Sequence, residues 1–133
     1  MNRPPIPTIE VTPWETGNLI PLLHEIRHAL RKLLTDGSET CIDLRALPMA
    51  PGEETRLVET LGKGEISVQM QALGKSAIYE TRYPGVWFAT HFNSNDEILG
   101  KYIEITHMPG LLKSQREDIA AGLHQLEEKL HEN

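Results

Sequence analysis

The sequence predicts an α+β (α/β) domain: a mixed, largely antiparallel sheet of about five strands with three helices, in the order α-β-α-β-β-β-β-α. Three observations carry this expectation. Leucines and isoleucines recur at three- and four-residue spacing near both ends of the chain, the period of an amphipathic helix. Between residues 65 and 106 alternation takes over, the period of a half-buried strand. The chain has 133 residues, of which 39% are hydrophobic, which suits one core rather than two.

Residues 1–14 carry Pro4, Pro5, Pro7 and Pro13 and are expected as a Pro-rich arm, with residues 15–133 as one folded domain. From Asn18 to Asp36, Leu19, Leu22, Leu23, Ile26, Leu30, Leu33 and Leu34 form one helical stripe. Asn18 is the expected N-cap, and Gly37 stands where the helix ends. A short strand over 40–45 leads into a bend through Leu47, Pro48, Met49, Ala50 and Pro51. Pro51, Glu53 and Glu54 then supply first-turn chemistry for a second helix with Leu57, Val58 and Leu61 on its apolar face.

Strict alternation over Glu65–Gln71 predicts a strand with one wet face, and residues 76–83, 86–93 and 98–106 follow as three more. The unit from 40 to 71 reads as β-α-β, whose two strands are expected to run parallel if they share the sheet. Ser114-Gln115-Arg116-Glu117 has the form of a capping box. Ile119, Leu123, Leu126 and Leu130 give the third helix a stripe expected to pack on the sheet.

Net charge narrows the function classes. With 19 acidic residues against 13 basic ones, the chain carries −6. That argues against nonspecific binding to nucleic acid or to an anionic membrane surface, both of which need a cationic face. Membrane insertion is not expected, because no apolar run reaches the length of a span. The N-terminus lacks the basic-then-apolar pattern of an export signal, so a cytoplasmic protein is expected. Cys41 is the one cysteine. It rules out an internal disulfide and a four-thiolate iron–sulfur site within one chain, and no cofactor is expected.

Four features carry candidate chemistry. His24-Glu25-Ile26-Arg27-His28 matches the H-E-x-x-H pattern, in which two histidines hold zinc and the glutamate acts as base. The helical wheel turns His24 and His28 away from the leucine stripe, towards solvent. Glu80 and His91 stand on neighbouring strands. A hairpin centred on Pro84-Gly85 sets Glu80 opposite Ala89 and His91 diagonal to Glu80, an arrangement that can tune a histidine for acid–base work. Cys41 faces away from Ile42 and Leu44, and packing is its expected role. Pro84-Gly85 favours a type II turn with Gly85 at positive φ, presenting Tyr83 and Trp87 as either buried aromatics or a recognition surface.

Several runs together resemble a known family. They are Leu47-Pro48-Met49-Ala50-Pro51-Gly52, Leu61-Gly62-Lys63-Gly64-Glu65, Ala72-Leu73-Gly74 and Glu80-Thr81-Arg82-Tyr83-Pro84-Gly85-Val86-Trp87, with His91 and Ile103-Glu104. From about Leu19 to Leu112 the chain resembles the hydrogenase expression/formation proteins of the HupH/HyaF type. The resemblance implies an accessory, chaperone-like protein, not an enzyme, for maturation of a membrane-bound nickel–iron hydrogenase. The implied partner is the small-subunit precursor or another hydrogenase accessory protein, met in the cytoplasm. Homo-oligomerisation is compatible with the sequence. The candidate partner-facing residues are Pro48, Met49, Pro51, Glu80, Tyr83, Pro84, Gly85, Trp87 and His91. The alternative reading is a zinc-dependent hydrolase using His24, Glu25 and His28.

Overall fold

Leu19, Leu22, Ile26, Ala29 and Leu33 set one stripe of a helix against a sheet, and that contact organises the chain. The computed structural model describes residues 17–71 and 74–132, so the arm expected over residues 1–14 lies outside the described residues. Among these residues the helices are α1 (Leu19–Asp36), α2 (Glu53–Leu61) and α3 (Arg116–His131). The strands are β1 (Thr40–Asp43), β2 (Ser67–Gln71), β3 (Lys75–Glu80), β4 (Val86–Phe92) and β5 (Ile98–Ile105). The predicted element order is the observed one.

The sheet runs β1-β5-β4-β3-β2, and every neighbouring pair is antiparallel. The β-α-β expectation of two parallel strands in one sheet holds in direction. β1 and β2 do run in the same direction, as four successive antiparallel pairings require, but they form opposite edges and do not pair. Short connections between β2, β3, β4 and β5 close each pairing at little entropic cost. The eight-residue β5 then offers its free edge to β1. β1 stops at Asp43, short of the predicted residue 45, because the Asp43 carboxylate accepts the Arg45 N–H (3.0 Å) and starts a 3-10 turn over Leu44–Ala46.

Alternation along the strands gives the sheet two different faces. Ile42, Val86, Phe88, Ile103 and Ile105 pack with the stripes of α1 and α2 into the main core, where Leu57 and Leu61 represent α2. Tyr79 and Phe88 stack across β3 and β4 at 5.6 Å on this face. Ile78, Trp87 and Ala89 point the other way and form a smaller cluster with Met70, Tyr102 and Leu112.

One buried acidic side chain locks the helical layer. Glu53, the first residue of α2, is 0% exposed. Its carboxylate accepts the Ala50 N–H at 2.9 Å and the Asn18 N–H at 3.1 Å. The Asn18 side chain is thereby free for a different task than the predicted cap: it donates to the Pro48 carbonyl at 2.6 Å. The start of α1, the 48–52 bend and the start of α2 are thus one hydrogen-bonded knot.

α3 departs from the expectation. Its N-cap is Gln115, which makes no side-chain cap bond, so Ser114 lies one residue outside the place a capping box needs. No residue of α3 is buried, and Ile119, Leu123, Leu126 and Leu130 are 57–67% exposed. α1 and α2 cover one face of the sheet. The cluster on the other face is met by Leu112, from the 3-10 turn just ahead of α3, so neither face takes up the helix.

Replacing Glu53 tests the knot. Glu53→Ala strands two partly buried backbone donors and is expected to lower unfolding free energy by on the order of 2 kcal/mol. Glu53→Gln, which keeps one acceptor, falls between this variant and the parent. Urea titration followed by circular dichroism measures both, and equal stability of all three proteins contradicts the assignment.

Candidate partner-binding surfaces

The sequence-predicted site residues separate into three places: the 48–51 bend, the corner from Glu80 to Trp87, and His91 near the other end of β4. Pro48, Met49 and Pro51 lie in the bend that the Glu53 knot fixes. Beside them opens a groove of about 480 Å³ whose walls include Leu44, Arg45, Leu47, Met49, Pro51, Ile98 and Lys101. Arg45 and Lys101 were not singled out from sequence. The fold brings them there: the Arg45 guanidinium donates to the Ile98 carbonyl at 2.9 Å, and Lys101 pairs with Glu54 at 2.8 Å. The groove therefore has an apolar floor from Leu44, Leu47 and Met49 and a charged rim.

Tyr83, Pro84 and Gly85 form the corner between β3 and β4. Gly85 has φ +91°, as the predicted turn requires. A Cβ there would come within 3.3 Å of Leu30 and 3.7 Å of Leu33, so the corner is seated against the C-terminal half of α1. Groove and corner are consequently not one patch. Pro48 is tied to Asn18 at one end of α1, and Gly85 rests on Leu30, roughly 18 Å along the helix.

Inside the corner, polar groups are consumed by structure. The Gly85 N–H donates to the Glu80 carboxylate at 3.1 Å, and buried Thr81 accepts the Tyr83 N–H at 3.2 Å. The Thr106 N–H donates to the Gly85 carbonyl at 2.9 Å, and Trp87 Nε1 donates to the Thr106 carbonyl at 3.0 Å. Trp87 is 3% exposed and belongs to the smaller core cluster, whereas Tyr83 is 41% exposed. Of the two readings of these aromatics, burial holds for Trp87 and a surface position for Tyr83.

The expected Glu80–His91 pair does not form. β3 and β4 pair with Glu80 opposite Trp87 and His91 opposite Ser76, a two-residue shift from the hairpin assumed from sequence. The shift arises because residues 81–85 all enter the corner, with the Thr81 N–H donating to the Val86 carbonyl and the Val86 N–H donating to the Tyr83 carbonyl. His91 Nδ1 shares a 2.8 Å hydrogen bond with Ser76 Oγ, and its ring lies 5.7 Å from that of Tyr102.

On the same sheet face, burial pushes the Glu104 carboxyl above the usual range, opposed by the His91 charge and assisted by Glu39. Cys41 is exposed beside Glu104 across the β1–β5 pairing. Partial burial raises its thiol pKa, and Glu104 and Asp43 raise it further, the reverse of the cationic setting an activated thiolate needs. His24, Glu25 and His28 stand on the exposed side of α1. Among the described residues no three His, Cys, Asp or Glu side chains converge to hold a metal ion, and no helix is long and apolar enough to cross a membrane.

Comparison with known proteins decides the family. Residues 17–132 match the family described as HupH hydrogenase expression protein, C-terminal conserved region. The chain belongs to this family. It is 32% identical over 102 residues to the hydrogenase expression/formation protein HoxQ of Azotobacter vinelandii, covering 77% of this chain and 35% of that protein. It is 31% identical over 118 residues to HupQ of Azotobacter chroococcum, covering 87% of this chain and 42% of the relative. The chain thus spans well under half the length of these curated relatives. The solved structure of the hydrogenase expression protein HupH from Thiobacillus denitrificans superposes with a TM-score of 0.86 at 39% identity, covering 90% of this chain and 99% of the other.

Two substitutions separate core from surface in the corner. Trp87→Ala removes a buried indole and is expected to cost about 3–5 kcal/mol of stability, whereas Tyr83→Ala changes it by about 0.5 kcal/mol or less. Thermal unfolding of the two variants distinguishes them. For Cys41, alkylation by iodoacetamide at neutral pH is expected to be slower than for an unhindered model thiol. Glu104→Gln accelerates it, while the burial contribution persists. A rate above the model thiol contradicts the assigned surroundings.

Proposed function

We propose that this chain is an accessory factor for hydrogenase maturation, binding the small-subunit precursor of a membrane-bound nickel–iron hydrogenase or another maturation protein rather than catalysing a reaction. The observation that carries this reading is the near-complete correspondence, over both chains, with a solved protein named as a hydrogenase expression protein. The geometry agrees with a binding role. The groove beside the 48–52 bend combines an apolar floor with cationic and anionic groups on its rim, a setting for an apolar side chain flanked by charge on a partner segment. Rigid hydrogen bonding beneath the bend holds that shape in advance of binding, which limits the entropy lost on association. The exposed Tyr83–Pro84 corner is a second contact point, distant enough to touch a different part of the same partner.

The test is made in hydrogenase-producing cells whose own copy of the gene is deleted. Expression of the chain is expected to restore hydrogenase activity, and affinity-tagged protein brings down a hydrogenase precursor or maturation factor. Met49→Glu, which sets a charge on the groove floor, is expected to reduce both by about tenfold or more while its circular dichroism spectrum is unchanged. Absence of any effect of the gene on hydrogenase contradicts the function. Restoration undiminished by Met49→Glu contradicts the groove.

A further inference from the structure

The main core comes to the surface at the groove beside the 48–52 bend. Leu47 and Met49 pack against that core yet stay half-buried, and with the buried Leu44 they form the groove floor.

The chain enters its first helix at the edge of this groove. The Asn18 N–H shares the Glu53 carboxylate with the N–H of Ala50, which lines the groove. The Asn18 side chain holds the carbonyl of Pro48, the residue before Met49. Gly17 has φ +80°, a turn that takes the incoming chain off the axis of α1. Residues 1–16 are therefore tethered beside an open apolar floor.

Their composition suits an occupant laid in a groove. Pro4, Pro5, Pro7 and Pro13 preset an extended path and bring no backbone donor that needs a partner. Trp14 follows Pro13 directly and stands four residues before Asn18, within roughly 14 Å of extended chain. It carries the largest apolar side chain of the segment, the kind that anchors contacts in an apolar pocket. The tether supplies the rest. A short linker gives an effective concentration in the millimolar range, so a contact too weak to hold a free peptide forms within one chain.

We infer that residues 13–16 lie in this groove in the free chain, with the Trp14 indole on the floor of Leu44, Leu47 and Met49. A partner segment entering the groove then has to displace them. The seat of the arm stands independently of the accessory role, and the competition rests on it.

Two-dimensional nitrogen–proton NMR spectra of the full chain read the seat with no partner present. Trp14→Ala is expected to shift the amide signals of Leu47, Met49 and Ile98 and to leave those of Tyr83 and Gly85 in place. Met49→Glu is expected to move the Trp14 indole N–H signal to the position of free tryptophan. The Trp87 indole signal, held by the Thr106 carbonyl, stays where it is and reports that each variant is folded. Groove amides unmoved by Trp14→Ala in the folded protein overturn the inference. So do shifts that appear only on concentration from about 20 to 500 μM, below the effective concentration of the tether, since they assign the groove to the arm of a second copy. In hydrogenase-producing cells lacking their own copy, limiting amounts of Trp14→Ala are expected to give about threefold more hydrogenase activity than the parent, because the competent fraction rises. Activity equal to or below that of the parent overturns the competition. A parent that restores no activity refutes the accessory role instead, and the NMR result still decides the seat.

Discussion

The structure depends most on one buried carboxylate. Glu53 begins α2, where the helix dipole favours negative charge, and it receives N–H groups from Asn18 and Ala50. Burying a polar side chain is costly unless donors replace its lost water, and here they come from two segments that are 32 residues apart in sequence. The consequence reaches beyond a local bond. The entry of α1, and with it the direction in which Leu19, Leu22 and Ile26 meet the sheet, is fixed to the same point as the 48–52 bend. The groove beside that bend inherits its shape from the knot beneath it.

A second knot operates at the far end of α1. The residues of the Glu80-to-Trp87 run that carry the family resemblance are used mainly to build a corner: Glu80 holds the Gly85 N–H, Thr81 holds that of Tyr83, and Trp87 reaches Thr106 beyond the end of β5. Such a motif can be specific without being chemical, since what it specifies is a shape. Tyr83, Pro84 and Arg82 are what this shape turns outward.

The element order was legible because each element carries its own period, and the α1 stripe and strand alternation are local facts. The register of β3 against β4 was not, because it depends on how many residues the corner absorbs; Thr81 and Arg82 join it through bonds to Val86 and Leu61 that no local pattern announces. The edge positions of β1 and β2 were hidden for a related reason: the choice of strand partner is made by β5, distant in sequence. Sequence marked Glu53 as helix-start chemistry, but burial of that carboxylate depends on Asn18, which only the folded chain brings near. Met49 and Pro51 could be suspected as surface residues of a bend. Arg45 and Lys101 could not, since they join the groove from a different strand and turn. The α3 stripe was legible as amphipathic, while the surface it lacks in its own fold was not.

Amide hydrogen exchange at Asn18 and Ala50 probes the central constraint in the unmodified protein. Both N–H groups precede regular helix and would otherwise exchange at loop rates, within seconds to minutes. If the Glu53 carboxylate holds them, they exchange on the timescale of the β4 and β5 core amides, through global rather than local opening. Exchange of either amide at the rate of an exposed loop, while the core strands stay protected, would show that the start of α1 and the bend are not joined through Glu53.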